Sequence, residues 1–120
     1  MNRKHKVLVI DDDFTVRQSL LFILKERYYI HCEKGALQGI KCLAQNKVDV
    51  IIMDIRMPKI DGITALRIIK KISPHVPVIA FSGNAGAEKM QEAIQSGAMN
   101  CLTKPFKIDK LKELIRKQVA

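Results

Sequence analysis

The chain has 120 residues, 48% of them apolar and 28% charged, with no tryptophan and three cysteines. That length makes one domain able to bury about two thirds of its unfolded surface, and the composition argues against a disordered chain, a disulfide framework or a zinc site of CxxC spacing. Twenty-one basic against twelve acidic residues give a net charge of +9, but no helix-turn-helix pair, aromatic cluster or basic arm accompanies it, so direct nucleic-acid contact is not expected.

Val7-Leu8-Val9-Ile10 is a fully apolar strand that ends on Asp11-Asp12-Asp13. Val16, Leu20, Ile23 and Leu24 then recur at helical spacing, with Asp13 as an amino-terminal cap. Tyr28 to Cys32 reads as a shorter, less apolar strand at a sheet edge, closed by Gly35. Ala36, Ile40, Leu43 and Ala44 share one face of a second helix that stops near Asn46, and Gly39 allows it to approach the sheet closely. Val50 to Met53 is a run buried on both faces, as in parallel sheets, and it ends on Asp54. Pro58 and Gly62 shape the turn into a third helix marked by Leu66, Ile69 and Ile72 and stopped at Ser73-Pro74. A fourth strand, Val76 to Phe81, ends on Ser82-Gly83-Asn84. Met90, Ala93, Ile94 and Gly97 mark the buried face of a fourth helix, Ala98 to Thr103 a fifth strand ended by Lys104-Pro105, and Ile108, Leu111, Leu114 and Ile115 a last amphipathic helix.

Five strands alternating with five helices predict right-handed crossovers and an α/β fold, a five-stranded parallel sheet with helices on both faces. No apolar run reaches the ~18 residues of a membrane span, and the amino-terminal Met1 to Lys6 leads into a strand without a signal-peptide core, so a cytoplasmic protein without membrane attachment is expected. Cys32, Cys42 and Cys101 read as free thiols, and His5, His31 and His75 as surface residues. Six of the basic residues lie between Lys104 and Ala120, against Asp109 and Glu113. Helical spacing spreads them around a solvated face.

The topology gathers Asp11, Asp12, Asp54, Ser82 and Lys104 on the carboxyl rim of the sheet, where open parallel α/β folds bind ligands. Three crowded carboxylates repel one another, and a set of oxygen ligands without imidazole or thiolate favours a hard divalent ion such as Mg²⁺. Lys104 adds a point charge and Ser82 a hydroxyl donor. Asp54 is the candidate nucleophile for phosphoryl transfer, because a carboxylate can form an acyl phosphate when positive groups surround the transferring oxygens.

"VLVIDDD" from Val7 to Asp13, "MDIRMPKIDG" from Met53 to Gly62 and "TKPF" from Thr103 to Phe106 resemble the receiver domain of two-component response regulators, including its chemotaxis-regulator type, over essentially the whole chain. The resemblance implies one receiver domain over residues 1–120, a flavodoxin-like doubly wound fold and strand order 2-1-3-4-5. It implies that Asp54 accepts a phosphoryl group from the phosphohistidine of a sensor histidine kinase or histidine phosphotransfer protein. Mg²⁺ would be held by Asp12, Asp54 and the backbone carbonyl of Arg56, with Asp11 acting through water. Ser82 corresponds to the family's switch hydroxyl and Lys104 to its lysine, while Arg56 and Asn84 occupy loop positions that modulate dephosphorylation. The chemistry would be confined to the domain's own phosphotransfer and dephosphorylation, with the signal passed to an output domain or to a second copy by self-association. Cys101 stands where the family commonly carries an aromatic switch residue.

Asp11-Asp12-Asp13-Phe14-Thr15 also spells the DxDxT pattern of haloacid-dehalogenase-like aspartyl-phosphate phosphatases. That family needs acidic metal ligands at a strand end beyond its lysine, whereas only Asp109 and Glu113 follow Lys104, both in a helix. A nucleotide-binding module finds neither a GxGxxG nor a GK[ST] loop.

Overall fold

Strands form where the sequence is apolar toward both faces, and helices where it is apolar toward one. In the computed structural model, which describes residues 4–57, 59–83 and 87–119, the order is β1 (His5–Ile10), α1 (Phe14–Leu24), β2 (Tyr28–Glu33), α2 (Ala36–Gln45), β3 (Val50–Asp54), α3 (Gly62–Ile72), β4 (Val78–Gly83), α4 (Ala87–Gln95), β5 (Asn100–Lys104) and α5 (Ile108–Val119). The expectations placed on Pro58 and Asn84 lie outside the described residues. All four ladders are parallel and the strand order is β2-β1-β3-β4-β5, the doubly wound arrangement with β2 at an edge.

The pleat sends alternate side chains to opposite faces. Leu8, Ile10, Ile51, Met53, Val78 and Ala80 pack under α2, α3 and α4. Val7, Val9, Val50, Ile52, Ile79 and Phe81 meet Leu20 and Leu24 of α1 and Leu111 and Ile115 of α5. Burial of these side chains, at roughly 25 cal/mol per Å² of apolar surface, is what holds helices to the sheet.

The cap of α1 is the one expected, and that of α3 is Asp61, which the spacing does not single out. Asp13 Oδ1 accepts from the amides of Thr15 and Val16 and Asp61 Oδ1 from Ile63, so α1 and α3 begin on side-chain caps. Asn46 and Ser73 end α2 and α3. Three positions expected in the core are exposed instead: Ala44, Ile72 and Ile94. In α2 the buried face is shifted by about one residue, in α3 the expected Leu66 and Ile69 are buried and only the final Ile72 is exposed, and in α4 only part of the expected stripe is buried. Cys42 takes the inward place in α2, Ile63 and Ala65 join Leu66 and Ile69 in α3, and in α4 Ala93 is buried while Met90 is partly so. Gly97 is likewise not on a buried face. It follows α4 with φ of +115°, and the amide of Ala98 closes the helix end on the carbonyl of Ala93. Cys42 and Cys101 are buried free thiols as expected, whereas Cys32 is only half-buried. No helix among the described residues is long and apolar enough to cross a membrane.

Candidate functional site

Register explains the convergence. Ile10 lies opposite Met53, so the next residues, Asp11 and Asp54, end adjacent strands side by side, about 5 Å apart by strand spacing. Both continue the alternation that faces α1 and α5. Lys104 has the same parity on β5, two strands away, and Phe81 lies between, opposite Asp54 in the ladder. The Lys104 side chain therefore reaches back over Phe81, with Nζ 5.9 Å from its ring centroid. Nζ donates to Asp11 Oδ2 at 3.0 Å and Asp54 Oδ2 at 2.9 Å. Phe106 stacks on the Phe81 ring with centroids 4.4 Å apart, giving the lysine an apolar bed.

The remaining oxygens are fixed by main chain. Asp11 Oδ1 accepts from the amide of Asp13 at 2.9 Å, and Asp54 Oδ1 from the amide of Arg56 at 2.8 Å. Asp54 is 6% exposed and Asp11 1%, while Asp12 stands in solvent. Burial pushes the Asp11 carboxyl above its ordinary pKa, and the Asp54 charge adds to this, although the Asp13 amide and Lys104 pull the other way. For Lys104, burial alone would lower the pKa. The bonds to Asp54 and then Asp11 outweigh it, and the ammonium is held above its ordinary range. One lysine thus offsets part of a cluster of three carboxylates.

Oxygens of Asp11, Asp12 and Asp54 lie within 4.8 Å of one another. The donors are all carboxylate, one of them solvent-facing, and the net charge is negative after Lys104 is counted. That chemistry fits a hard divalent cation that keeps part of its hydration shell.

Ser82 completes the rim differently. It has the opposite pleat parity, is fully buried, and its Oγ has no hydrogen-bond partner among the described residues. A buried hydroxyl left unpaired is unfavourable by about 1–3 kcal/mol, and such groups concentrate where a ligand supplies the missing partner. Gly62 is the other structural requirement. A Cβ there would collide with the main chain of Ile55, the residue after Asp54, so only glycine lets α3 start where the β3 end stays in place.

Sequence reasoning missed what two guanidinium groups do: Arg56 entered it only through its backbone carbonyl and loop position, and Arg17 not at all. Arg56 Nη1 donates to the carbonyl of Gly83 at 2.6 Å, strapping the β3 end to the β4 end, and Arg17 Nη1 donates to the carbonyl of Asp11 at 2.8 Å. Both bonds go to main-chain oxygens, which no side-chain motif announces. Lys107, Lys110, Lys112, Arg116 and Lys117 are all exposed, the solvated face that helical spacing predicts.

A doubly wound sheet with paired carboxylates, a bridging lysine and a buried hydroxyl on its carboxyl rim defines a phosphoacceptor signalling domain, and the chain belongs to the response regulator receiver domain family, whose sequence profile matches residues 7–116. It is a phosphorylation-activated receiver of two-component signalling. The chain is 34% identical to the chemotaxis protein CheY of Bacillus subtilis (strain 168) over 116 residues, 94% of this chain and 96% of that one. It is 33% identical over 119 residues to the regulatory protein AtoC of Escherichia coli (strain K12), covering 98% of this chain but 26% of AtoC. The chain spans about a quarter or less of the length of the transcriptional regulators it matches. Among solved structures, the beryllofluoride-activated NtrC4 receiver domain dimer superposes with a TM-score of 0.88 at 32% identity, covering 94% of each chain.

The phosphatase reading of Asp11 to Thr15 finds no support. The Asp13 carboxylate is engaged in capping α1, and Asp109 and Glu113 are exposed on α5.

Proposed function

We propose that Asp54 is the phosphoacceptor, and that its donor is the phosphohistidine of a sensor histidine kinase or histidine phosphotransfer protein. A carboxylate oxygen of Asp54 attacks phosphorus, the N–P electron pair returns to the ring, and the imidazole, already protonated at its other nitrogen, leaves neutral, producing a mixed anhydride. Asp12, Asp54 and the carbonyl of Arg56 would hold Mg²⁺, with Asp11 acting through water. When bound, the metal supplies positive charge against which an anionic phosphoryl group can approach anionic Asp54.

The chain's own residues do the rest. Lys104 turns from Asp54 toward a phosphoryl oxygen while keeping its bond to Asp11. The Ser82 hydroxyl donates to another phosphoryl oxygen, and this buried hydroxyl, without a hydrogen-bond partner among the described residues, is the observation that carries the reading. Arg56 holds the two strand ends at fixed separation. The chemistry is the domain's own phosphotransfer and dephosphorylation, and the reading carries with it a cytoplasmic location.

The phosphorylated state is passed to a protein partner, an output domain or a second copy through the surface of α4, β5 and α5. Ser82 and Lys104 lie at the carboxyl ends of β4 and β5, so drawing both inward on a phosphate biases that surface between two arrangements. Cys101, buried beneath α4 beside Ala80, offers no ring to swing. Acetyl phosphate with Mg²⁺ tests the assignment: intact-mass spectrometry should show one added phosphate that Asp54→Asn and EDTA abolish. Undiminished labelling in either would overturn it.

A further inference from the structure

Beneath α2, three side chains converge that phosphoryl chemistry does not use. His31 and Glu33 are two residues apart on the edge strand β2, so the pleat points both to one face. Their register partners Leu8 and Ile10 belong to the cluster under α2, α3 and α4. Cys42 descends on them from α2. One turn earlier in that helix, a side chain on Gly39 would strike Ile10, so the glycine lets α2 lie close enough for the thiol to reach the edge strand. His31 Nε2 is 2.6 Å from Glu33 Oε2, and donor atoms of His31, Glu33 and Cys42 all lie within 4.8 Å of one another.

The thiol is the telling member. Cys42 is 7% exposed and belongs to the apolar cluster under α2, α3 and α4, and its Sγ lies within 4.8 Å of donor atoms of His31 and Glu33. Sγ receives a weak bond from Asn46 Nδ2 at 3.8 Å, and its S–H has no acceptor among the described residues. A cavity of about 220 Å³ lies alongside, lined by His31, Cys42 and Asn46 among others. The exposed imidazole gives a solute access from outside.

We propose that His31, Glu33 and Cys42 bind a borderline-soft divalent cation of the Zn²⁺ type, with water as fourth ligand. Imidazole nitrogen, carboxylate oxygen and thiolate sulfur together select such an ion over Mg²⁺, which separates this centre from the all-carboxylate rim. Burial and then the Glu33 charge hold the thiol above its ordinary pKa, so binding displaces the Cys42 proton to solvent. Metal–ligand bonds of about 2.0–2.3 Å require the His31–Glu33 pair to open and the sulfur to draw in, movements that rotation of the exposed imidazole accommodates. The site would clip α2 to the edge strand. It lies on the opposite face of the sheet from the Asp11 and Asp54 side chains and is joined to that rim through the main chain, where the carbonyl of Glu33 accepts the amide of Asp11 at 3.1 Å.

Cobalt(II) added to the full chain in excess Mg²⁺ is the probe. One equivalent should produce thiolate-to-cobalt charge-transfer absorption with tetrahedral visible bands, and Zn²⁺ should bleach both. Cys42→Ser should abolish the near-ultraviolet band and His31→Gln should weaken it. His31→Gln alters only an exposed side chain, so it keeps the test valid if Cys42→Ser fails to fold. Cys32→Ser, Cys101→Ser and Asp54→Asn should leave the spectrum unchanged. Absence of the thiolate band, its survival at full strength in His31→Gln, or its dependence on Cys32 or Cys101 would overturn the proposal.

Discussion

Replacing Lys104 with methionine isolates the electrostatics of the rim, since methionine keeps the apolar stem over Phe81 and removes the charge. The ammonium serves two carboxylates at 3.0 and 2.9 Å, and its side chain is about three-quarters buried. Removing one partner from a buried ion pair destabilises by about 3–5 kcal/mol. A ceiling applies, because the orphaned pair can take up one proton. From an ordinary carboxyl pKa near 3.9, protonation at pH 7 costs about 4 kcal/mol, and at pH 5 about 1.5. The expected deficit is therefore about 3–4 kcal/mol at pH 7 and less than half of that at pH 5. In the variant the folded-state carboxyl pKa rises above the unfolded value, so protons favour the folded form, and relative stability falls as pH climbs from about 4 toward 7. In the wild type the raised Lys104 pKa keeps its contribution complete throughout this range, and it is lost only as pH rises through that raised value. Urea melts followed by circular dichroism at both pH values measure the difference, and millimolar Mg²⁺ should recover part of the deficit by replacing the missing cation. Equal deficits at pH 5 and 7, or a deficit under about 1 kcal/mol at pH 7, would refute the account.

Three further substitutions separate the roles of the rim. Asp12→Ala should change stability without metal by no more than about 0.5 kcal/mol, as expected of an exposed side chain, while losing the gain in Tm that Mg²⁺ gives the wild type; an equal gain in calorimetry would remove Asp12 from the metal site. Ser82→Ala deletes a buried hydroxyl that has no partner among the described residues, so urea melts should show it unchanged or up to about 1 kcal/mol more stable, while beryllofluoride-induced NMR shifts in α4 and β5 diminish. A loss of more than 1 kcal/mol would mean that the hydroxyl has a partner in the resting protein. Gly62→Ala forces a methyl against the Ile55 main chain and should destabilise by about 3 kcal/mol or more, with acetyl-phosphate labelling of Asp54 falling as the β3 end shifts; near-wild-type melting and labelling would show that α3 can begin elsewhere.

The central strands are readable because a continuous apolar run covered on both faces leaves little choice. Val7 to Ile10 and Val50 to Met53 announce themselves, and the acidic residues that end them locate the rim before any coordinates are seen. Helical phase was less legible. Ala44, Ile72 and Ile94 fit an apolar stripe, but each helix meets a twisted sheet at an angle set by its neighbours: a shift of about one residue carries Ala44 into solvent, and Ile72 and Ile94 are exposed at the carboxyl ends of helices whose earlier stripe residues are buried. The rim's composition was visible while its wiring was not, since Lys104 reaches Asp11 across 93 positions of sequence and Arg56 and Arg17 bond to main-chain oxygens. The set of His31, Glu33 and Cys42 shows the same limit. Spacing rules find ligands within one element, and here a helix supplies one donor to a strand that supplies two.

The anchoring of α4 bears on how evenly the molecule holds together. Its nine residues are pinned by one fully buried side chain, Ala93, whereas five residues of α3 are buried. An alanine contributes little apolar area, so α4 should open at a small fraction of the free energy needed to unfold the whole domain. Its amides should then exchange with deuterium well before those of β1, β3 and β4, and at a rate independent of urea at low concentration, as local fluctuations expose little new surface. A helix so lightly held requires no large force from a distant phosphate. In the phosphorylated state proposed above, the hydrogen bond gained at Ser82, about 1.5–3 kcal/mol for a charged partner, would act beside the helix with the fewest buried residues.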